Sequence, residues 1–405
     1  MIEIKGKYAN AIIYTDTIEE TAFEQIQTLC NQSFVKDTKI RIMPDVHAGA
    51  GCVIGFTADL KDKVIPNIVG VDIGCGMLTV ELGKIDFSFE ELDNIIRKYI
   101  PAGTSIHEGR IEHFNDIKDL YCFRELKDTK RFERSIGTLG GGNHFIEIDI
   151  DDDSNKYLII HSGSRNLGKQ VAEYYQKLAI DLMKGKDEIF IKQKEIIEEY
   201  KTQGRKQEIQ AAIKELHQSF QEKELDIPEN LCYLTGEYRE QYLHDMAICQ
   251  RYAILNRKTM ANIILKHLFD KDLSDFSSFE TIHNYIDHNN HMIRKGAVSA
   301  KKDEILLIPI NMRDGSLICK GKGNFEWNES APHGAGRLFS RNQAKENFSL
   351  QEFEKEMVGI FSTSIHINTI DECPMAYKSI EDIVSHIDET VDIIKRIKPI
   401  YNFKA

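Results

Sequence analysis

No two cysteines of this 405-residue chain are spaced C-x-x-C; its eight cysteines stand at positions 30, 52, 75, 122, 232, 249, 319 and 373. That scatter excludes a disulfide framework and reads as reduced thiols, one or two of which are placed to ligate metal. No apolar run reaches the roughly 18 residues that a bilayer crossing needs. The densest stretch, Ile305-Leu306-Leu307-Ile308-Pro309-Ile310, is far shorter. The opening Met1-Ile2-Glu3-Ile4-Lys5 reads as a β-strand with an acidic interruption, not as a signal peptide, so a cytoplasmic protein without a membrane partner is expected. Positive charge is in deficit: 52 Lys+Arg face 64 Asp+Glu, a formal net charge of −12. This argues against a chain coated in nucleic acid but permits a basic site within a cleft. Ser/Pro-rich linkers and internal repeats are missing as well.

What remains is a globular composition, 41% hydrophobic and 29% charged, on a chain long enough to bury a large core. Residues 1–82 look strand-rich and Gly-punctuated, and residues 89–100 predict a short helix. Strands follow at 145–150 and 157–160. From Gly168 to about Leu268 the texture changes to long amphipathic helices. Within that block, residues 185–225 are heavily charged with sparse, helically spaced apolar positions. Gly204 divides them into a solvated helical hairpin, better described as an insertion than as a domain. Past residue 280 strands return at 304–310 and 316–319, then helices near 335–347, 350–357 and 379–397. The expected fold class is α+β, a single catalytic domain over 1–405 with mixed sheets around one cleft.

The chemically informative residues are polar, Gly-flanked and at apparent strand ends. Gly70-Val71-Asp72-Ile73-Gly74-Cys75-Gly76 puts a carboxylate three residues before a thiol in a tight turn. Gly140-Gly141-Gly142-Asn143-His144-Phe145-Ile146-Glu147 enters a strand with Asn143, Phe145 and Glu147 on one face and His144 on the other. Ile159-Ile160-His161-Ser162-Gly163-Ser164-Arg165 ends a strand in a pattern suited to an anion, or simply to a His-capped strand end. His283 is followed by Asn284, and His288 and His291 compete with it as ligands on spacing alone. His333 opens His333-Gly334-Ala335-Gly336-Arg337, read as a loop and helix start with Arg337 and Arg341 one turn apart on one helix face. Asp72, Cys75, His144, His161 and His283 together exceed the ligand needs of one tetrahedral ion, so a metal pair bridged by thiolate is reasonable. Ligand softness alone favours zinc or iron over manganese.

With Met43-Pro44-Asp45-Val46-His47, Gly137-Thr138-Leu139-Gly140, Arg294-Lys295-Gly296-Ala297-Val298-Ser299-Ala300 and Pro374-Met375-Ala376-Tyr377-Lys378, these segments resemble the RtcB family of RNA-splicing ligases, in the family's order from residue 43 onward. The resemblance implies a GTP- and Mn²⁺-dependent ligase joining an RNA 3′-phosphate or 2′,3′-cyclic phosphate to a 5′-hydroxyl, in RNA repair or tRNA splicing. It implies two Mn ions on Asp72, Cys75, His144, His161 and His283, with Cys75 bridging, and His333 as the guanylylated nucleophile. Carried over, the GTP contacts are Asn143, His144, Phe145, Ile146, Glu147, His283, Asn284, Pro309, Ile310, Asn311, Met312, Ser316, His333, Gly334, Ala335, Gly336, Tyr377 and Lys404. Arg165, Arg337 and Arg341 are candidate RNA phosphate ligands, and an archease-like activator is a candidate partner. The chain departs from the family at Asn311-Met312-Arg313-Asp314, where Arg313 is expected to add bulk and charge beside the nucleotide and Asn311 to donate to a phosphate. The short 103–136 region and the long insertion depart as well. Two rival readings stand beside it. One is a dinuclear hydrolase of cyclic phosphates or phosphodiesters, with no need of His333 or GTP; the other is a non-enzymatic metal- or RNA-binding scaffold.

Overall fold

The computed structural model describes residues 1–404, and its strands form two large sheets and one small one. The first sheet has the strand order Ile2–Lys5, Asn10–Ile13, Ile40–His47, Ile54–Ala58, Ile293–Lys295, Tyr285–Ile286. Asn10–Ile13 and Ile40–His47 run parallel, and the helix Glu20–Cys30 makes the crossover that a parallel pair requires. The second sheet is antiparallel, in the order Ile305–Asn311, Gly315–Gly321, Val391–Lys404, Phe145–Ile150, Lys156–Ser162, Gly76–Gly83, Ser278–Ile282. Ala297–Ser299 and Ser330–Pro332 make a two-stranded ladder. The architecture is α+β.

Strand periodicity sorts the second sheet into two faces. Leu78, Val80, Ile146, Ile148, Leu158, Ile160 and Phe403 pack on one side, against Leu92 and Ile96 of the helix Phe89–Tyr99 and Met260, Ile264 and Leu265 of the helix Gly236–Phe269. The other face carries Met77, Phe145, Tyr157, Ile159 and Ile397. The largest core cluster joins the first sheet to the helices Glu20–Cys30, Arg165–Met183 and Gly236–Phe269.

The charged block forms the helices Asp187–Thr202 and Ile209–Ser219, which pack on one another across a turn where Gly204 has φ 73°. Ile189 is the one buried residue of the two helices. No helix among the described residues is long and apolar enough to cross a membrane.

Two helix expectations need correction. The segment 379–397 is not one helix: a Ser379-capped helix, Ile380–Ile387, stops before the strand Val391–Lys404. Ile380, Ile383, Ile387, Val391 and Ile394 are spaced by three and four and mimic a helical stripe. After the turn at 388–390, β-branched Val391, Ile393 and Ile397 instead face inward while Asp392, Arg396 and Lys398 are exposed, and the two-residue period prevails. Likewise 335–347 is helical only over Arg341–Asn347, started by a Ser340–Gln343 capping box. Arg337 lies before it, in an extended bridge to Tyr377.

Candidate active site

The five expected ligands converge where three strand ends of the second sheet meet the loop before Gly76. Gly74, at φ 69°, bends that loop, and its own N–H donates to the Asn284 carbonyl at 3.0 Å. Gly163 must lack a side chain, because a Cβ there would stand 2.2 Å from Asp72 Oδ1. Arg257 of the long helix, fully buried and paired with Glu280, donates to the carbonyls of Gly74 (3.0 Å) and Ser162 (2.8 Å) and so ties both ligand loops down.

Cys75 Sγ lies 3.3 Å from His161 Nε2 and 3.5 Å from His144 Nε2, and His161 Nε2 lies 3.5 Å from His283 Nε2. Asp72 Oδ2 is 3.0 Å from His144 Nε2. Two donor groups share the sulfur, Cys75–His161–His283 and Asp72–Cys75–His144, each with ligand atoms within 4.8 Å of one another. His144 Nδ1 donates to the Leu139 carbonyl (2.9 Å) and His161 Nδ1 to the Asn143 carbonyl (3.2 Å), which leaves both Nε2 lone pairs facing the thiol. Burial, and then neighbouring histidine charge, hold His161 and His283 far below the usual imidazole range, so both rings are neutral. The Asp72 carboxyl is held below the usual carboxylate range: burial raises it, and the adjoining His144 ring and the Arg165 charge outweigh that. Five N/O/S donors whose neighbouring atoms lie 3.0–3.5 Å apart fit a cation site and suit a thiolate-bridged pair of divalent ions. Burial and the Asp72 charge push the Cys75 thiol well above its usual range, so its proton leaves only as a cation binds.

Beside this cluster opens a cavity of about 390 Å³. His333 stands between the two, its ring 4.8 Å from that of His283. Its Nδ1 donates to Asp45 Oδ2 at 2.6 Å. Asp45 is fully buried on the strand Ile40–His47. The loop after His333 is pressed onto that strand: a Cβ on Gly336 (φ 76°) would stand 2.5 Å from the Asp45 carbonyl oxygen. The cavity lining includes Gly334, Ala335, Gly336 and Pro309 to Met312, and also Asn143, Phe145, Glu147, Asn402 and Lys404. Glu147 accepts from the Asn402 side-chain amide. Glu372, 2% exposed, is a hub: it receives Lys404 Nζ at 2.6 Å, the Tyr377 hydroxyl at 2.7 Å, Arg341 at 2.7 Å and Arg337 at 3.2 Å.

Six expected contacts lie outside the lining, of which His144 and His283 stand in the donor cluster instead. Ile146 points its side chain into the core on the opposite sheet face. Asn284 (φ 60°) braces the ligand loop, accepting from Gly296 N–H at 2.8 Å and donating to the Asp72 carbonyl at 3.3 Å. Ser316 is fully buried, with no partner for its hydroxyl. Arg165 donates to Thr138 Oγ1 and the Gly103 carbonyl, its charge beside Asp72. Arg337 and Arg341 do line the cavity and converge on Glu372, though not as neighbours on one helix face. Arg313 does not crowd the cavity: Asp314 and Glu356 hold its guanidinium. The Asn311 amide donates to Asp314 at 2.8 Å, not into the cavity. His288 and His291 belong to neither donor group. Asp45, Glu372 and Asn402 were not among the expected site residues, although Asp45 sits inside the Met43–His47 motif.

A sulfur-bridged donor cluster, a carboxylate-backed imidazole and a cation-rimmed cavity on one concave face are the parts of a metal-assisted phosphoryl- or nucleotidyl-transfer centre. The chain belongs to the RtcB family: the family model described as tRNA-splicing ligase RtcB matches residues 25–121 and 123–405. It is 29% identical to the RNA-splicing ligase RtcB of Escherichia coli K12, with 96% of this chain and 95% of that protein covered. It is 30% identical to an RNA-splicing ligase RtcB1 of a second Escherichia coli strain, with 96% and 95% covered. Against the tRNA-splicing ligase RtcB of Aeropyrum pernix it is 24% identical, with 96% and 94% covered.

Proposed function

We propose that the chain is an RNA ligase that joins RNA 3′-phosphate or 2′,3′-cyclic phosphate ends to 5′-hydroxyl ends, using GTP and Mn²⁺ through a guanylylated His333. The observation that carries this reading is the His333–Asp45 pair at 2.6 Å, beside both the donor cluster and the cavity. With Nδ1 committed to Asp45, Nε2 is the nitrogen left for attack, and the buried carboxylate offsets the positive charge the ring gains as it bonds to phosphorus. A carboxylate-backed histidine also serves hydrolases as a general base; it is the family match that favours ligation over the hydrolase reading.

In the first transfer the Nε2 lone pair bonds to the GTP α-phosphorus and the bond to pyrophosphate breaks. A cyclic end first takes up water, which bonds to phosphorus as the P–O2′ bond breaks and leaves a 3′-phosphate and a 2′-hydroxyl. In the second transfer an oxygen of the RNA 3′-phosphate takes the GMP and frees His333. The 5′-hydroxyl then attacks the activated 3′-phosphorus and expels GMP. Two Mn²⁺ ions held by Asp72, Cys75, His144, His161 and His283 would neutralise phosphate charge. Glu147 suits the N1–H and 2-amino edge of guanine, and Lys404 beside it suits the 6-oxo group, together selecting GTP over ATP. Arg337 and Arg341 line the cavity with their guanidiniums on Glu372, and an RNA phosphate would compete with that carboxylate for them. The 405 residues act as one catalytic domain carrying the 185–225 insertion, in the cytoplasm, on cleaved RNA in repair or tRNA splicing, with an archease-like activator as a candidate partner.

The test is incubation with α-labelled GTP and Mn²⁺ followed by denaturing electrophoresis. Label on the wild-type chain, lost in His333→Ala, is the expected result. Label absent from the wild type with every divalent metal tried would overturn the reading.

A further inference from the structure

The strand Phe145–Ile150 turns Phe145, Glu147 and Asp149 to one face. Asp149 lies beneath Glu147, fully buried, and neither of its oxygens meets an N–H or O–H donor. The surrounding elements explain why. Opposite it across one ladder is Tyr157, whose hydroxyl is taken by Asp151 at 2.9 Å and Lys395 at 2.8 Å. Opposite it across the other is Pro399, which has no N–H. Further along that strand Asn402 donates to Glu147, and the Lys404 charge acts on Glu147. The Ser316 hydroxyl, buried nearby on the same sheet, also lacks a partner. The one charged group that acts on Asp149 is Glu147 itself.

Two adjacent carboxylates in a dry site do not both ionise; the one with fewer donors keeps the proton. Glu147 has the Asn402 amide and Lys404, and Asp149 has neither. We propose that Asp149 is a neutral carboxylic acid whose O–H donates to Glu147, making it a positioning residue that fixes Glu147 from below and leaves a single negative charge facing the base. Burial and the Glu147 charge both push the Asp149 carboxyl well above the usual range, in the same direction. The inference deepens the assignment of Glu147 to guanine and rests on it. Such a donor to an ionised acceptor is among the stronger hydrogen bonds.

Two measurements test it on the manganese-loaded full chain. The infrared difference spectrum, wild type minus Asp149→Asn, at about pH 8 should show the C=O stretch of a protonated carboxyl, where an ordinary aspartate is ionised. Calorimetric titration with GMP should show Asp149→Ala binding at least about tenfold more weakly than wild type, with Asp149→Asn, whose amide can donate, restoring most of the loss. A missing carboxyl band, or Asp149→Ala binding GMP as wild type does, overturns the inference. Wild type that shows the band but binds no GMP leaves the protonation state standing and overturns the guanine assignment instead. Should Asp149→Ala not fold, the infrared band decides alone.

Discussion

Asp45 Oδ2 accepts twice from His333, from the ring Nδ1–H at 2.6 Å and from the backbone N–H at 3.1 Å. Two bonds from one residue to one oxygen fix both the tautomer and the plane of the ring. Asp45 Oδ1 has no partner, so no other network depends on this carboxylate. Asp45→Asn is expected to fold normally and to lose self-guanylylation by on the order of 10²-fold or more, the scale of a misplaced acid–base partner. The initial rate of label incorporation is the measurement. A rate within about threefold of wild type would mean that the ring is oriented by something else.

Cys75 is the atom common to both donor groups. Its loss should therefore release more than one ion, whereas loss of a terminal ligand such as His283 should weaken one. The expected outcome for Cys75→Ala is manganese content after dialysis near zero, against partial retention in His283→Ala. The thiol is small, so the fold should lose only about 1 kcal/mol. Elemental analysis with a parallel thermal melt reads both, and equal metal in wild type and Cys75→Ala would refute a bridging role.

Asp72, Cys75, His144 and His161 were legible because each sits at a glycine-marked turn or strand end, where a polar side chain without a turn or solvent role stands out. His283 has no such mark, and His288 and His291 matched it on spacing alone. Asp45 and Glu372 were not legible: one is a strand carboxylate and the other precedes a Cys-Pro pair, and neither type nor spacing marks a buried anion. Their roles exist only once Asp45 meets His333, 288 positions away, and Glu372 meets Lys404, 32 positions away. The terminal strand was hidden for a related reason. Its place between Gly315–Gly321 and Phe145–Ile150 is a long-range pairing that local periodicity cannot report, and the three-and-four spacing of its isoleucines also fits a helix.

Glu372 should govern acid stability. Burial raises its carboxyl, but the Lys404 and Arg341 charges outweigh that and bring it down to about 2. A depressed carboxyl adds stability above its unfolded value of about 4.3, and that stability is lost as pH falls toward the folded value. The size is roughly 3 kcal/mol for a buried group so shifted. Glu372→Gln should thus be destabilised at neutral pH and lose less between about pH 4.5 and 2 than wild type does. Urea midpoints across that window check it; parallel curves for the two proteins would contradict it.

Asp149 should act with the opposite sign. Its folded carboxyl is raised, so between the usual carboxylate range and that raised value the chain must take up a proton on folding. The protonated form is present without cost below the unfolded value, and stability then declines as pH rises, by about 1.4 kcal/mol per pH unit for each proton taken up. The Glu147 carboxyl, raised by the same burial, adds to this decline and does not cancel it. Asp149→Asn carries no titrating proton and keeps a donor toward Glu147. Its stability relative to wild type should therefore grow steadily between about pH 5 and 8, even if the two are equal at the acid end. Histidine titrations elsewhere in the site are common to both proteins and drop out of the difference. Unfolding free energies measured in urea at each pH supply that difference, and a flat line would show that Asp149 is ionised in the fold.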